Sequence, residues 1–424
     1  MKNQATHKAI KNFLLHLHPL KIDTRAIKFN RTFGLGGIAA LLIVVLFFTG
    51  LLLKFVYVPS VAGAYDSIML LQHEIIFGRF LRSLHHWSAM LLVVVVFLHL
   101  VRVFYSQSLF YQRRKNWLYG LLLMFLVVSA NFTGYLLPWD QLSYWAVTIM
   151  TNMFSYIPVI GDPLAGLIRD GETVSENTLL RFYHFHTGLL PILMVFFMAI
   201  HFWLVRKAGG VALPPSDKAR KVNTHPNLVY KEVYVAVILL LALFLFSFFV
   251  DAPLMEKARP SVNPNPSKAP WYFMGFQELL IHTHATFGAF IIPLFTTAFL
   301  ISIPFFKYDH LNPGTWFHSE NGKKITITSI IFTILFTFTF SIVNDAIFDF
   351  SNRLENWPSI ISTGLLPFFL YLLPMAGFLF YLKRKRNASD IELTIAGVTI
   401  ILSAYLTMML TGVFLRGEGM QLIF

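Results

Sequence analysis

The sequence predicts an all-α polytopic membrane protein with about nine transmembrane helices, and three observations carry that prediction. The 424 residues are 56% hydrophobic and 16% aromatic, with only 13% charged, a composition beyond that of a soluble domain. Nine apolar segments reach the length a helix needs to cross a bilayer. They lie roughly at 33–57, 85–105, 117–137, 187–205, 233–250, 285–306, 325–343, 360–382 and 391–415. The connecting segments alternate in charge. The N-terminal tail and the loops near 102–116, 206–231, 307–324 and 383–390 hold 24 of the 34 Lys and Arg, whereas 14 of the 21 acidic residues lie opposite. The positive-inside rule then places the N-terminus in the cytoplasm and the C-terminus outside. The run from Lys383 to Arg386 belongs to this topological signal, so no nucleic-acid partner is expected despite the net charge of +13.

The chain has no cysteine. Disulfides, thiolate-held iron–sulfur clusters and thioether-linked haem within this chain are thereby excluded. The basic N-terminal stretch, broken by Pro19, lacks the compact apolar core and small-residue site of a signal peptide. The outer loops at 58–84, 138–186 and 251–284 are long, the last with PSVNPNPSKAP. Loops of that length often carry function, and short surface helices are expected in the second and third.

The first four spans carry a histidine pattern. In the second span His85 and His99 are fourteen residues apart, and in the fourth His186 and His201 are fifteen apart. At 1.5 Å and 100° per residue, each pair lies near one helix face, roughly 21–22 Å apart along the axis. Two helices thus each present an upper and a lower imidazole at matching heights. A lone membrane histidine often only hydrogen-bonds a neighbouring helix, but four in two matching registers suit bis-histidine ligation of two stacked haems in a four-helix bundle. His86 and His184 do not share the register and are expected to be an interfacial neighbour and a helix-end residue.

Glycines repeat the spacing. Gly36 and Gly50 in the first span, and Gly120 and Gly134 in the third, are each fourteen apart. Glycine in a membrane helix usually serves helix packing. At this spacing on both remaining helices it also offers slots for two porphyrin edges. Arg82 and Arg102 stand three residues outside His85 and His99, where they could pair with haem propionates or simply snorkel to the interface.

Over roughly residues 30–345 the chain resembles cytochrome b of the quinol-oxidising Rieske/cytochrome b (bc1 and b6f) complexes. The motifs are RSLHHWSAM, GYLLPWDQLSYWAV (134–147), IPVIGDPL (157–164), LLRFYHFHTGLLP (179–191), HFWLVRKAGG (201–210) and PWYFMGFQELL (270–280). The N-terminal half is closest to the b6 type, and the whole reads as a fused bacterial form. Four sections are expected: a cytoplasmic segment at 1–32, a dihaem four-helix domain at 33–207, a C-terminal cytochrome b domain with the outer quinol-site loop at 208–345, and two additional helices at 346–424. Gly34 stands where a b6-type chain has a cysteine for an extra haem, so no covalently tethered haem is expected.

The resemblance implies two non-covalent haem b groups, an outer one on His85 and His186 and an inner one on His99 and His201. One electron of a quinol, preferably menaquinol, would go to a Rieske iron–sulfur protein, with c-type cytochrome subunits beyond it. The other would cross through the two haems to an inner quinone site, protons leaving outside. The resemblance further implies a homodimeric complex among membrane lipid in the bacterial cytoplasmic (inner) membrane. The family's Pro-Glu-Trp-Tyr motif is altered, with Pro270 in the place of Glu. Glu278, eight residues on, is expected to take its proton-accepting role, beside Tyr144 and Tyr272. His282 and His284 could relay protons or be plain exposed loop residues. HPNLVYKE resembles the family's inner-site stretch and points to His225, Glu232 and Lys207. Two other readings stay open: a dihaem quinone-linked anchor of another respiratory complex, and a proton-coupled transporter with buried histidines and no haem.

Overall fold

The computed structural model describes residues 19–216, 220–345, 354 and 356–423. The first eighteen residues of the expected N-terminal segment lie outside the described residues. Among the described residues nine helices are long and apolar enough to cross a membrane, one for each expected span. They are α1 (Leu35–Lys54), α3 (Gly78–Tyr105), α4 (Arg114–Leu136), α7 (Glu176–Lys207), α8 (Val229–Phe249), α10 (Phe287–Phe305), α11 (Glu320–Val343), α12 (Ile360–Lys385) and α13 (Asp390–Phe414). Short helices fill the long loops: α2 (Ala64–His73), α5 (Gln141–Asn152), α6 (Gly161–Arg169) and α9 (Met274–His282). Two three-residue strands, β1 (Lys21–Asp23) and β2 (Lys221–Asn223), pair antiparallel. The fold is all-α and polytopic. Large apolar side chains stay uncovered on the long helices, such as Phe47, Phe48, Leu51 and Leu52 on α1 and Val233, Val237 and Leu241 on α8. A helix apolar all round presents such a surface to lipid.

The chain forms two compact units. The first runs to Tyr135 and adds Phe182–Leu254 and His310–Trp316; the second comprises Leu136–Arg181, Met255–Asp309 and the chain from Phe317. The core of the first unit is Leu42, Leu84, Leu92, Val95, Leu126, Val127, Leu190, Met194 and Leu243. Leu92 lies midway between His85 and His99, and Met194 midway between His186 and His201. An apolar layer therefore separates the two histidine levels.

In the second unit, small residues let helices approach closely. Thr326, Ser329, Thr333, Thr337 and Ser341 line α11, and Thr399, Ser403, Thr407 and Thr411 line α13, all buried. Without a hydrophobic drive between helices in lipid, such close packing is the main source of association. Hydroxyls return their bonds to the helix, as Thr399 does to the Ile395 carbonyl at 2.7 Å and Thr407 to Ser403 at 2.7 Å. Ser389 caps α13 in a capping box with Glu392, and the Glu392 carboxylate also accepts from Ser319, the cap of α11, at 2.5 Å. One carboxylate thus ties two helix starts together.

Among the described residues, π-helical turns lie within α7 at Phe185–Leu189 and at the starts of α10 and α12, at Phe287–Ile291 and Ile360–Leu365. Each is followed by proline in the second position beyond it: Pro191, Pro293 and Pro367. Proline has no N–H to give and clashes with the carbonyl four residues back, so the preceding turn widens. The first of these turns contains His186. A π turn absorbs about one extra residue, so the fifteen-residue step from His186 to His201 acts as one of fourteen and comes into register with His85 and His99.

Candidate functional site

In the first unit the four histidines form two facing pairs. The ring centroids of His85 and His186 lie 6.1 Å apart and those of His99 and His201 6.4 Å apart, both pairs tilted by 72°. Two imidazole–metal bonds of about 2 Å each, plus half a ring on either side, sum to roughly 6 Å. Among the described residues no three His, Asp or Glu gather as they would around a bare metal ion. Two facing imidazoles alone instead suit a metal whose other ligands come from a flat macrocycle.

The four glycines face these rings one to one. A Cβ added at Gly36 would lie 3.4 Å from His99 Cε1, at Gly50 3.2 Å from His85 Cε1, at Gly120 3.8 Å from His201 Cε1, and at Gly134 2.8 Å from His186 Nδ1. Any larger residue at Gly134 or Gly50 would push an imidazole off its axis.

Hydrogen bonds orient one pair. His186 Nδ1 is 2.9 Å from the Ala130 carbonyl, which can only accept, so Nδ1 carries the proton and Nε2 keeps its lone pair. Thr49 donates its hydroxyl hydrogen to the Val45 carbonyl at 2.8 Å and therefore accepts from His85 Nδ1, also at 2.8 Å. Both Nε2 atoms are thereby free for a metal. Sequence reasoning missed Thr49 and Ala130. The threonine had a signal: Phe-Thr-Gly occurs at 48–50 and again at 132–134, and Thr133 stands 3.5 Å from His186 Nδ1. A backbone carbonyl such as that of Ala130 has none.

Arg82 is buried and donates to the carbonyls of Ala252 at 2.9 Å and Pro253 at 2.6 Å, and to Gln72 at 3.2 Å. Arg102, also buried, donates from Nε to the Arg31 carbonyl at 2.8 Å. His86 packs edge-on against Trp87 at 4.9 Å, and His184 against Tyr183 at 5.5 Å. His225 lies edge-on to Tyr230 at 5.6 Å, Lys207 sits 5.1 Å over the Trp203 ring, and Glu232 is in the first turn of α8. Gly34 opens α1 with φ of 66°, a left-handed conformation that disfavours any β-carbon.

The second unit holds Tyr144, Tyr272 and Glu278. Tyr144 is buried on α5 against Trp139 and Trp145. Tyr272 is buried just before α9, its carbonyl accepting from Tyr405 at 2.5 Å. The PWDQ motif clamps the loop that leads there. Asp140 caps α5 through Ser143 at 2.9 Å and accepts from the Met255 amide at 3.0 Å, while Gln141 accepts from the Arg259 amide at 2.6 Å. Replacing Asp140 by Ala is expected to cost about 1–2 kcal/mol through the lost cap alone. It should also speed trypsin cleavage after Lys257, and unchanged cleavage would show that the clamp does not hold the loop.

Glu278 is fully buried rather than on a helix surface. It accepts from Arg416 Nη2 at 2.5 Å and Nε at 3.0 Å, and lies 3.1 Å from His282 Nε2. Burial alone would push its carboxyl up; the hydrogen bonds from His282 and Arg416, with the charge of Arg416, outweigh that and hold it below the ordinary value of 4.5. His282 is likewise buried, not an exposed loop residue, and His284 accepts from the Thr286 amide at 3.3 Å.

Buried imidazole pairs inside a bundle of apolar helices are the arrangement of a membrane protein suited to a flat metal cofactor between helices. The family profile described as Cytochrome b/b6/petB matches residues 23–209. Cytochrome b6 of Synechococcus sp. (strain JA-3-3Ab) is 43% identical over 180 residues, 42% of this chain and 84% of that protein. Cytochrome b6 of Prochlorococcus marinus (strain MIT 9303) is 42% identical over 180 residues, 42% of this chain and 83% of that protein. A solved chain of a hyperthermophilic respiratory Complex III shares the fold with a TM-score of 0.65, at 20% identity and covering 90% of each chain. The chain belongs to the cytochrome b/b6 family, membrane-spanning electron-transfer proteins that bind haem b.

Proposed function

We propose that the chain is the dihaem cytochrome b subunit of a quinol-oxidising Rieske/cytochrome b complex. It would move electrons across the membrane between an outer quinol-oxidation site and an inner quinone-reduction site, with proton translocation. The observation that carries this reading is the two stacked imidazole pairs, each imidazole with a glycine against it. His85 with His186, and His99 with His201, would hold one non-covalent haem b each. Haem b there supplies reversible one-electron storage at two depths. Thr49 and the Ala130 carbonyl keep the two upper imidazoles in the ligating tautomer. Arg82 and Arg102 are the cations nearest those histidines along α3 and would meet the propionates.

Tyr144, Tyr272 and Glu278 would line the quinol-oxidation side, and His225, Glu232 and Lys207 the quinone-reduction side. The quinone would be menaquinone. A Rieske iron–sulfur protein and c-type cytochrome subunits would be the partners, in a homodimeric complex of a bacterial cytoplasmic membrane, with the N-terminus inside. Residues 33–207 would act as the dihaem domain, 208–345 would add the quinol-site loop, and 346–424 the two further helices.

A reduced-minus-oxidised spectrum with a pyridine haemochrome assay tests the reading. Two b-type haems per chain are expected. Protein purified without b-type absorbance would overturn it in favour of a transporter, and two haems without quinol-driven reduction would favour the anchor.

A further inference from the structure

Four ionisable side chains meet at one end of the second unit: Glu278 and His282 on α9, Asp345 just beyond α11, and Arg416 just beyond α13. These are the charged and titratable groups that face one another there among the described residues. Phe340 packs against the His282 ring at 6.2 Å and Asn344 Nδ2 lies 2.8 Å from His282 Nδ1. Glu278 and His282 have no exposed side-chain surface, whereas the Asp345 side chain is 21% exposed. His282 stands between the carboxylates, with Nε2 3.1 Å from Glu278 and Nδ1 3.4 Å from Asp345. Arg416 bonds both, through Nη2 to Glu278 and Nη1 to Asp345.

We propose that Glu278, His282 and Asp345 form a proton conduit from a buried carboxylate to the surface, with Arg416 as its fixed counter-charge. It rests on the quinol-oxidising reading and adds to it the route by which the quinol's proton leaves. The step starts from the tautomer with the proton on Nδ1, opposite to the one the Asn344 Nδ2 contact favours: the O–H bond of protonated Glu278 breaks as an N–H bond forms at His282 Nε2. The N–H at Nδ1 breaks as an O–H forms on Asp345, which then gives its proton to water. No electron moves, and the step leaves His282 with its proton on Nε2, the tautomer that donates to ionised Glu278 and accepts from Asn344 Nδ2 at Nδ1. Arg416 spans both ends of the path. Whichever carboxylate is ionised therefore keeps its cation, and the charge can move without leaving a buried anion unpaired. A salt bridge made only for stability would need neither the interposed imidazole nor the partly exposed carboxylate.

The experiment uses the native complex in membranes, with a short-chain menaquinol as donor. Asp345→Asn and His282→Gln are expected to slow quinol-driven haem reduction by about a hundredfold and to enlarge its solvent deuterium effect. Haem content and the dithionite-reduced spectrum should not change, and Asp345→Glu should recover most of the rate. Asp345 is partly exposed and Asn keeps its size and an acceptor for Arg416, so Asp345→Asn reports even where His282→Gln fails to assemble. Wild-type rates and pH dependence in Asp345→Asn would overturn the conduit while leaving the haem assignment intact. Absence of haem from the wild-type protein would instead overturn the reading on which it rests.

Discussion

A methyl group added at Gly134 is expected to empty the His85/His186 site while the His99/His201 site stays loaded. The added Cβ would lie 2.8 Å from His186 Nδ1 and 3.1 Å from Nε2, inside van der Waals contact. The ring has little room to retreat, because Nδ1 is held by the Ala130 carbonyl. Overpacking of this kind costs about 1–3 kcal/mol, or roughly five- to 150-fold in cofactor affinity. Gly120 is the internal control: its added Cβ would stand 3.8 Å from His201 Cε1, ordinary contact distance. Gly120→Ala should keep two haems per chain, Gly134→Ala should fall towards one, and His85→Ala should reach one. Gly50 and Gly36, at 3.2 and 3.4 Å, should fall between. Equal haem content in Gly134→Ala and Gly120→Ala would show that these glycines serve helix packing alone.

The histidine ladder was legible because a helix converts sequence spacing into position, and a repeat of fourteen in two spans has few other causes. The spacing of fifteen was legible only as an approximation. Its cause, the π turn ahead of Pro191, depends on a carbonyl and a missing N–H that a residue count does not weigh. The nine spans were legible because lipid demands long apolar helices whatever they pack against. The surroundings of Glu278 were not. The distance in sequence from Glu278 to Asp345 or Arg416 carries no periodic signal, and only the packing of α9, α11 and α13 decides which helix ends share a point. For the same reason a short helix bearing Glu278 reads as a surface helix until the chain beyond α13 covers it. The PWDQ motif was legible as a family motif, but its two polar residues spend their hydrogen bonds on residues 255–262.

Replacing Arg416 by Met is expected to destabilise the protein by about 3–5 kcal/mol, the usual cost of stripping one partner from a buried ion pair. Arg416 is 3% exposed and Glu278 not at all, so water cannot take over the lost bonds. The pH dependence follows from the Glu278 carboxyl. In the wild type it titrates below 4.5 when folded, so its contribution is complete above that pH and is lost as the pH falls through the lower folded value. In Arg416→Met the cation is gone and burial pushes the carboxyl up. The folded state then binds the proton more tightly than the unfolded chain does. The defect should therefore be largest at neutral pH and shrink as the pH falls towards the unfolded carboxylate range. Converting both residues, as Arg416→Met with Glu278→Met, removes the stranded charge and should recover most of the loss. Unfolding in mixed detergent micelles, followed by helical circular dichroism at several pH values, checks this. A neutral-pH loss under about 0.5 kcal/mol, the range of an ordinary surface substitution, would mean that the C-terminal segment does not lock α9 through this pair.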